Sequence, residues 1–128
     1  MKLLNKNAVI TGANQGFGLA VAEAFVKEGA NIMVSARSMS KLEEAVLKLK
    51  SFQVREGQII YCKADIAKQS DNDKVIELTI KTFGSVDILV ANAGIYGPKG
   101  KIEDVDWNEW SDAIDVNLKG TVMSCLSV

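Results

Sequence analysis

Three glycines near the start of the chain have the spacing that points most directly to chemistry. They stand at positions 12, 16 and 18, between a short apolar run at residues 8–11 and a helix-forming stretch. The first turn of a helix presents unpaired N–H groups and a partial positive charge, which suit a pyrophosphate. Gly12 would permit a tight turn, Gly16 would let phosphates approach the backbone, and Gly18 would let helix and strand pack closely. A plain structural turn is the alternative.

Further polar residues follow the second and third predicted strands. Arg37 and Ser38 come about 20 residues after the glycine loop, where an acidic side chain would bind a ribose 2′-hydroxyl and an arginine would suit a 2′-phosphate. A solvated loop arginine is the alternative. Asp65 and Ile66 follow the third strand. The carboxylate could accept a bond from an adenine amino group while the Ile66 backbone reads the ring, and a turn or capping aspartate is the alternative.

Asparagines mark the two last candidate positions. Asn92, Ala93 and Gly94 close the fourth predicted strand, at the carboxyl edge where ligands bind open α/β sheets. Small residues there would let the backbone approach a ribose, and Asn92 could brace the neighbouring strand end; an ordinary turn is the alternative. Asn117 falls on the apolar stripe of the last predicted helix. The stripe predicts that the Asn117 side chain is buried. Because a buried amide without partners is costly, we expect it to have fixed hydrogen-bond partners.

Together these motifs carry a family resemblance. The residues at 11, 12, 16 and 18 resemble the TGxxxGxG phosphate loop of the short-chain dehydrogenase/reductase family, with Phe17 where isoleucine is more common. Residues 92–94 and 117–120 are similar to that family's NAG and NxxG motifs. The resemblance spans essentially all 128 residues, which correspond to about the first half of a usual member. It implies hydride transfer between nicotinamide and a carbonyl or alcohol substrate.

The resemblance also implies a cofactor and a set of site residues. An acidic residue at the place of Ala36 goes with NAD and an arginine at the place of Arg37 goes with NADP, so NADP is favoured. Gln15 lacks the charge of the family's second NADP signal, which keeps NAD open. Asn117 would join a catalytic tetrad, holding a water that connects to the catalytic lysine; a purely structural buried asparagine is the alternative. The residues expected to bind the cofactor are Gly12, Asn14, Gln15, Gly16, Phe17, Gly18, Arg37, Ser38, Asp65, Ile66, Asn92, Ala93 and Gly94.

The family's proton-transfer residues have no match here. Neither tyrosine is followed by a lysine four residues later, because Asp65 follows Tyr61 and Gly100 follows Tyr96 at that spacing. The general acid and the serine that positions the substrate are therefore missing, and we expect no turnover from this chain alone. Two alternatives stay open. One is a catalytically dead nucleotide-binding or partner-binding module, and the other, within the family, is a 3-oxoacyl-acyl-carrier-protein reductase.

The elements that must position these residues alternate as β-α-β-α-β-α-β, followed by one more helix. This order predicts a doubly wound parallel α/β sheet, a Rossmann fold, truncated after the fourth strand and the following helix. We expect the first helix to bury an apolar face made of Phe17, Ala20, Val21, Ala24 and Phe25, and the second helix to begin with a Ser40–Glu43 capping box. The further predicted ranges are strands at 31–35, 58–62 and 86–91 and helices from about 40, over 70–83 and from about 106 to the chain end.

Composition bounds the remaining possibilities. With 128 residues, 48% of them apolar, and a net charge of −1, the chain is expected to be one soluble domain over residues 1–128. Near-neutral charge gives no electrostatic reason to bind nucleic acid or a membrane surface. The absence of histidine and of a CxxC pair predicts no metal site. We expect a cytoplasmic protein without a signal peptide, and a homo-oligomer formed through the last helix and the open sheet edge.

Overall fold

A sheet of four parallel strands lies at the centre of the computed structural model, which describes residues 1–128. The strand order is β3-β2-β1-β4. β2 pairs in parallel with both β1 and β3, and β4 pairs with β1 alone. The predicted doubly wound sheet is confirmed. The strands are β1 at Asn7–Thr11, β2 at Asn31–Ala36, β3 at Ile59–Lys63 and β4 at Ile88–Val90.

Helices cover both faces of this sheet. Ile10 and Val34 belong to the core packed by α1 and α2, whereas Val9 and Met33 belong to the core packed by α3. Two apolar faces explain why the strands read as continuous apolar runs rather than as alternating ones. No helix is both long and apolar enough to cross a membrane. The helices are α1 at Gly16–Lys27, α2 at Met39–Lys50, α3 at Gln69–Phe83, α4 at Trp107–Ile114 and α5 at Thr121–Ser127.

Of two local predictions for the first helices, one holds in part and one is wrong. On the predicted apolar face of α1, Val21 and Phe25 pack against the core, whereas Phe17, Ala20 and Ala24 face solvent, with Phe17 75% exposed. A helix with apolar residues on all sides does not fix its own rotation. The buried residues of α1 are Gly18, Ala22 and Val26. The Ser40–Glu43 capping box is absent, because α2 begins one residue earlier and has Ser38 at its N-cap.

The last helical region is not one regular helix. A six-residue π-helical segment, Asp115–Gly120, joins α4 to α5. Asp106 caps α4 as expected, accepting a hydrogen bond from the Asn108 backbone N–H at 3.0 Å. The region turns small residues inward, since a Cβ at Gly120 would lie 2.8 Å from Ile66 Cδ1. The buried residues are Ala113, Val116, Gly120 and Ser124.

Most of the expected apolar stripe of this region therefore faces solvent, although Ala113, which belongs to it, is buried. The large residues of the stripe repeat at every fourth position and form what we call the exposed apolar row. Leu118 in this row is 62% exposed. The close approach made possible by the small inward residues leaves the large ones on the outside. The row consists of Trp110, Ile114, Leu118, Val122 and Leu126.

Candidate functional site

A cleft of about 770 Å³ opens at the carboxyl edge of the sheet. Every residue predicted for the site lines it except Gly18 and Asp65. The predicted residues in the lining are Gly12, Asn14, Gln15, Gly16, Phe17, Arg37, Ser38, Ile66, Asn92, Ala93, Gly94 and Asn117. Residues that are far apart in the sequence thus meet in one place, because parallel strands all end at the same edge.

The three glycines have different structural reasons to be glycine. Gly12 has φ +63°, and a Cβ there would lie 2.6 Å from Ala93 Cα. A Cβ at Gly18 would lie 2.4 Å from Asn92 Nδ2, so Gly18 packs the start of α1 against the loop after β4 and does not reach the cleft. Gly16 has φ +57° and open space around it. It therefore leaves the main chain accessible from the cleft.

The first turn of α1 is free to bind an anion. Gln15 stands at the N-cap, but its side chain forms no capping hydrogen bond. The N–H groups of a first helical turn have no partner within the helix, and the helix dipole favours negative charge there. The cleft therefore has room and hydrogen-bond donors for a diphosphate, which is the group that the glycine spacing predicted.

Hydrogen bonds hold the glycine turn to the end of β4. Asn92 Nδ2 donates to the carbonyl oxygen of Gly12 at 3.1 Å. Thr11 Oγ1 accepts from the backbone N–H groups of Asn92 and Ala93, each at 3.1 Å. The bracing role expected for Asn92 is present. The two loops that border the cleft thus form one connected structure.

The charge of the cleft is positive. Arg37 and Lys41 line it, and no Asp or Glu does. The only ion pairs of the structure, Lys27–Glu23 and Lys119–Asp115, lie elsewhere. Arg37 and Lys41 therefore have no carboxylate partner. The residue before Arg37 is the buried Ala36, so the end of β2 carries no acidic group. This arrangement favours an anionic ligand.

Asp65 is used within its own turn. Its Oδ1 accepts a hydrogen bond from the Ala67 backbone N–H at 3.0 Å, and its own N–H donates to Asp71 Oδ2 at 2.8 Å. These contacts match the turn-forming alternative. Ile66 does line the cleft, and its carbonyl oxygen accepts from Asn72 Nδ2 at 2.7 Å. The contact of Asp65 with an adenine stays a prediction.

Asn117 is positioned differently from the expectation. The prediction that its side chain is buried is wrong, because the residue lies in the π-helical segment and is exposed. The expected fixed partners are present. Asn117 Oδ1 accepts from the Ile95 N–H at 2.8 Å, and Nδ2 donates to the Ile95 carbonyl oxygen at 2.7 Å. Asn117 therefore fixes the loop after β4 at the border of the cleft.

Sequence reasoning missed nine residues of the lining. Lys41 could have been found, since it follows Arg37 by four residues at the start of α2. Tyr96 lies on the loop after β4, where it is 90% exposed, with the Lys99 ammonium 5.0 Å from its ring centre. The other lining residues are small or apolar, and their types do not indicate a binding site. The nine are Ser35, Ala36, Lys41, Ala64, Ala91, Ile95, Tyr96, Val116 and Thr121.

The ionisable groups whose pKa is shifted lie outside the cleft. Burial raises the pKa of the Cys62 thiol on β3. Hydrogen bonds from Ser127 and Gln69 lower the pKa of Asp73 on α3, and a hydrogen bond from Lys27 lowers that of Glu23 on α1. None of the three carboxyl and thiol groups lines the cleft.

Known proteins are similar in sequence to nearly the whole chain. The model of the short chain dehydrogenase family matches residues 6–128. An uncharacterised oxidoreductase of Listeria monocytogenes is 37% identical over 128 residues, which is 100% of this chain and 50% of that protein. The 3-oxoacyl-acyl-carrier-protein reductase FabG of Staphylococcus epidermidis is 38% identical over 124 residues, 96% of this chain and 49% of that protein.

Solved structures show the same fold. A short-chain dehydrogenase/reductase from Brucella melitensis has a TM-score of 0.90 at 31% identity, over 99% of this chain and 52% of that one. One of unknown function from Caenorhabditis elegans, solved with cofactor, has a TM-score of 0.92 at 30% identity, over 100% of this chain and 48% of that one. The chain spans about half the length of the curated relatives it matches. The chain belongs to the short-chain dehydrogenase family.

Proposed function

We propose that the cleft binds NADP(H), and that a protein containing this chain transfers hydride between the nicotinamide and a carbonyl or alcohol substrate. The observation that carries the proposal is the cleft itself, with Arg37 and Lys41 in its lining, no acidic group, and an uncapped helix start beside Gly16. A diphosphate fits the free N–H groups of α1 and a further phosphate fits the cations at the end of β2. The cofactor supplies the hydride when it is bound.

The preference for NADP over NAD rests on the end of β2. An NAD ribose is bound in such folds by a carboxylate that accepts from its 2′-hydroxyl, and this chain has the apolar Ala36 there. Arg37 offers a planar, always charged donor set that matches a phosphate. Ser38 and Lys41 line the same part of the cleft and offer further donors.

Titration calorimetry of the chain with NADPH and NADH tests this proposal. Arg37→Ala should weaken NADPH binding by about tenfold, because it removes a charge-assisted hydrogen bond to an exposed phosphate. The same change should leave NADH binding nearly unaltered, and Ala36→Asp should favour NADH. Lys50→Ala removes an exposed charge in the last turn of α2, outside the cleft, and is the matched control. Equal affinity for both cofactors in the unsubstituted chain would refute the preference, and no affinity for either would refute the binding site.

The substrate class is proposed from the family alone. Because FabG is a 3-oxoacyl-acyl-carrier-protein reductase and is 38% identical over its matching half, an acetoacetyl thioester is the first substrate to assay against a generic ketone. No tyrosine–lysine pair at the family's spacing exists among these residues. We therefore propose that the chain alone does not oxidise NADPH with either compound, and steady turnover would contradict this.

A cofactor-binding module without catalysis is the second candidate, favoured by that same missing pair. Calorimetric titration with NADPH and NADH would give the same result for such a module as for the matching half of an enzyme. The two candidates differ in the coding sequence beyond Val128, where an open frame with a serine and a Tyr-x-x-x-Lys motif supports the enzyme. A stop codon supports the module. Two cysteines without a disulfide suit a reducing compartment, and we propose the cytoplasm.

We also propose that the exposed apolar row and the free edge of β4 join copies of the chain. Large apolar side chains in a continuous row are typical of an interface, and β4 has a strand on one side only. Sedimentation should show a dimer or a larger assembly that Leu118→Lys weakens. Leu47→Lys is the matched control, since Leu47 is 71% exposed on α2 and outside the row. A monomer at all concentrations would refute the assembly.

A further inference from the structure

A buried pair of polar side chains lies behind the cleft, between α3 and α5. Asn72 on α3 is 4% exposed and Ser124 on α5 is 3% exposed, and neither of them lines the cleft. Ser124 Oγ donates a hydrogen bond to Asn72 Oδ1 at 2.7 Å. The two residues are 52 positions apart in the sequence, so their contact joins two elements that are distant along the chain.

The side-chain amide of Asn72 also holds the turn after β3. Its Nδ2 donates to the carbonyl oxygen of Ile66 at 2.7 Å and to that of Lys68 at 3.1 Å. Both amide hydrogens and the amide oxygen of Asn72 therefore have partners, which fixes the orientation of the side chain. Ile66 lines the cleft. Asn72 thus holds one wall of the cleft in place from behind.

The Ser124 end of the pair belongs to a second wall. Ser124 Oγ also lies 2.8 Å from the Gly120 carbonyl oxygen, and a Cβ on Gly120 would lie 2.8 Å from Ile66 Cδ1. Gly120 ends the π-helical segment, whose exposed Asn117 lines the cleft together with the following Thr121. The polar pair therefore holds two walls of the cleft against each other, the turn after β3 and the end of the π-helical segment.

The polar character of the pair gives this connection a direction. Two apolar side chains could pack α3 against α5 as well, and replacing both partners of a buried hydrogen bond by apolar groups is often nearly neutral for stability. A satisfied buried network, by contrast, fixes its members in one arrangement. The members here are the Ile66 backbone and the end of the π-helical segment, which border the space that a ligand would occupy.

We propose that Asn72 is a positioning residue for the bound cofactor, acting through Ile66 and, by way of Ser124, through the segment that carries Asn117 and Thr121. Asn72 itself touches no ligand. The inference rests on the proposed function, because it takes the ligand of the cleft to be NADP(H). The separation of the two walls decides how well they fit the ligand, so loss of the connection should weaken binding even when the chain stays folded.

Calorimetry with NADPH on substituted chains tests the proposal. Asn72→Leu keeps a similar volume and removes all three hydrogen bonds, and it should weaken NADPH binding by about five- to tenfold. Ser124→Ala leaves the bonds of Asn72 to the turn in place and should weaken NADPH binding by about two- to fivefold. Thr79→Val is the matched control on α3, because it removes a buried hydroxyl that donates to the Val75 carbonyl oxygen outside the cleft. It should destabilise the chain and leave the affinity unchanged.

Two measurements without ligand separate positioning from stability. Urea midpoints show how much each substitution destabilises the chain. The NMR signal of the Ile66 δ-methyl group, which lies against Gly120, should move in Asn72→Leu and stay in place in Thr79→Val. The same signal of the unsubstituted chain should shift when NADPH is added.

Four results would overturn the inference. An unchanged NADPH affinity in a folded Asn72→Leu chain would do so and leave the proposed function standing. An equal loss of affinity in Thr79→Val would do the same, because it would trace the effect to stability alone. If Asn72→Leu does not fold, Ser124→Ala decides, and an unaltered affinity in that variant would overturn the inference. Failure of the unsubstituted chain to bind NADPH would overturn the proposed function and this inference with it.

Discussion

The side-chain amide of Asn117 forms hydrogen bonds with both backbone polar groups of Ile95. Its Oδ1 accepts from the Ile95 N–H at 2.8 Å and its Nδ2 donates to the Ile95 carbonyl oxygen at 2.7 Å. The pair imitates one step of a β-ladder between a side chain and a loop. It connects the π-helical segment to the loop after β4, and both elements border the cleft.

Asn117→Ala should therefore loosen this loop. The loss of two partly solvated hydrogen bonds should lower the free energy of unfolding in urea by about 1 kcal/mol. Trypsin should cut faster after Lys99 and Lys101, which follow Ile95 on the same loop. Asn108→Ala changes an exposed asparagine of α4 whose side chain forms no hydrogen bond, and it should alter neither quantity much. Equal cleavage rates in the two variants would contradict a clamp between Asn117 and Ile95.

The glycine loop and the strand ends could be predicted because they depend on residues close together in the sequence. The spacing of Gly12, Gly16 and Gly18 already implies a strand, a turn and a helix, and a parallel sheet brings all strand ends to one edge. The structure confirms this arrangement of the elements and places nearly all the predicted residues around one cleft.

The exposure of Asn117 could not be predicted in this way. The apolar stripe was predicted to be the buried face, but small residues such as Ala113 and Gly120 pack inward and leave Leu118 and its large apolar neighbours facing solvent. Ser35 was missed for a different reason. Whether a hydroxyl in an apolar strand has a partner depends on neighbouring strands, which the local sequence does not show.

Gly16 and Gly57 form a matched pair for testing the role of the glycine loop. Both have positive φ, +57° and +75°, and a Cβ on either would meet nothing within 4 Å. Alanine at each should therefore lower the free energy of unfolding by a similar amount, about 1–2 kcal/mol, through backbone strain alone. Only Gly16 lines the cleft.

The two alanine variants should differ in cofactor binding. Gly16→Ala should weaken NADPH measurably in calorimetry, because the added methyl group stands where phosphates would approach the backbone. Gly57→Ala should bind as the unsubstituted chain does. Equal affinities, with both variants folded by circular dichroism, would show that the main chain at Gly16 does not contact the ligand.

Gln58 is a buried polar residue, and two of its three hydrogen-bond partners are distant in sequence. Its Nε2 donates to the carbonyl oxygens of Val26 at 2.8 Å and Ala30 at 2.7 Å, and its Oε1 accepts from the Val54 N–H at 2.9 Å. Gln58→Leu leaves the Val54 N–H and the Ala30 carbonyl oxygen without these hydrogen bonds, whereas Val26 still accepts from the Gly29 N–H at 3.0 Å. The substitution should lower the free energy of unfolding by about 3 kcal/mol. Gln53→Leu changes a side chain without hydrogen bonds in the same connection. A similar small effect of both substitutions would refute the role of Gln58.

The two cysteines should differ sharply in reactivity. Cys62 is 6% exposed on β3, and burial raises its pKa, so the reactive thiolate is both inaccessible and scarce. Cys125 is exposed on α5. A thiol reagent such as DTNB should therefore react quickly with one thiol of the native chain, that of Cys125, and with the second thiol, that of Cys62, only after denaturation. Rapid labelling of a Cys125→Ser variant would contradict the burial of Cys62.

The raised pKa of Cys62 also predicts a loss of stability in alkali. The folded state disfavours the thiolate, whereas the unfolded chain ionises near the ordinary value of 9.0. Stability with respect to this thiol is thus fully present below that pH. The free energy of unfolding falls as the pH rises above it, because ionisation then favours the unfolded chain. Cys62→Ala cannot ionise, so its free energy of unfolding should fall less between neutral pH and alkali than that of the unsubstituted chain. Cys125→Ser, which removes the exposed thiol, should keep the full decline, and identical pH profiles for all three proteins would disprove this coupling.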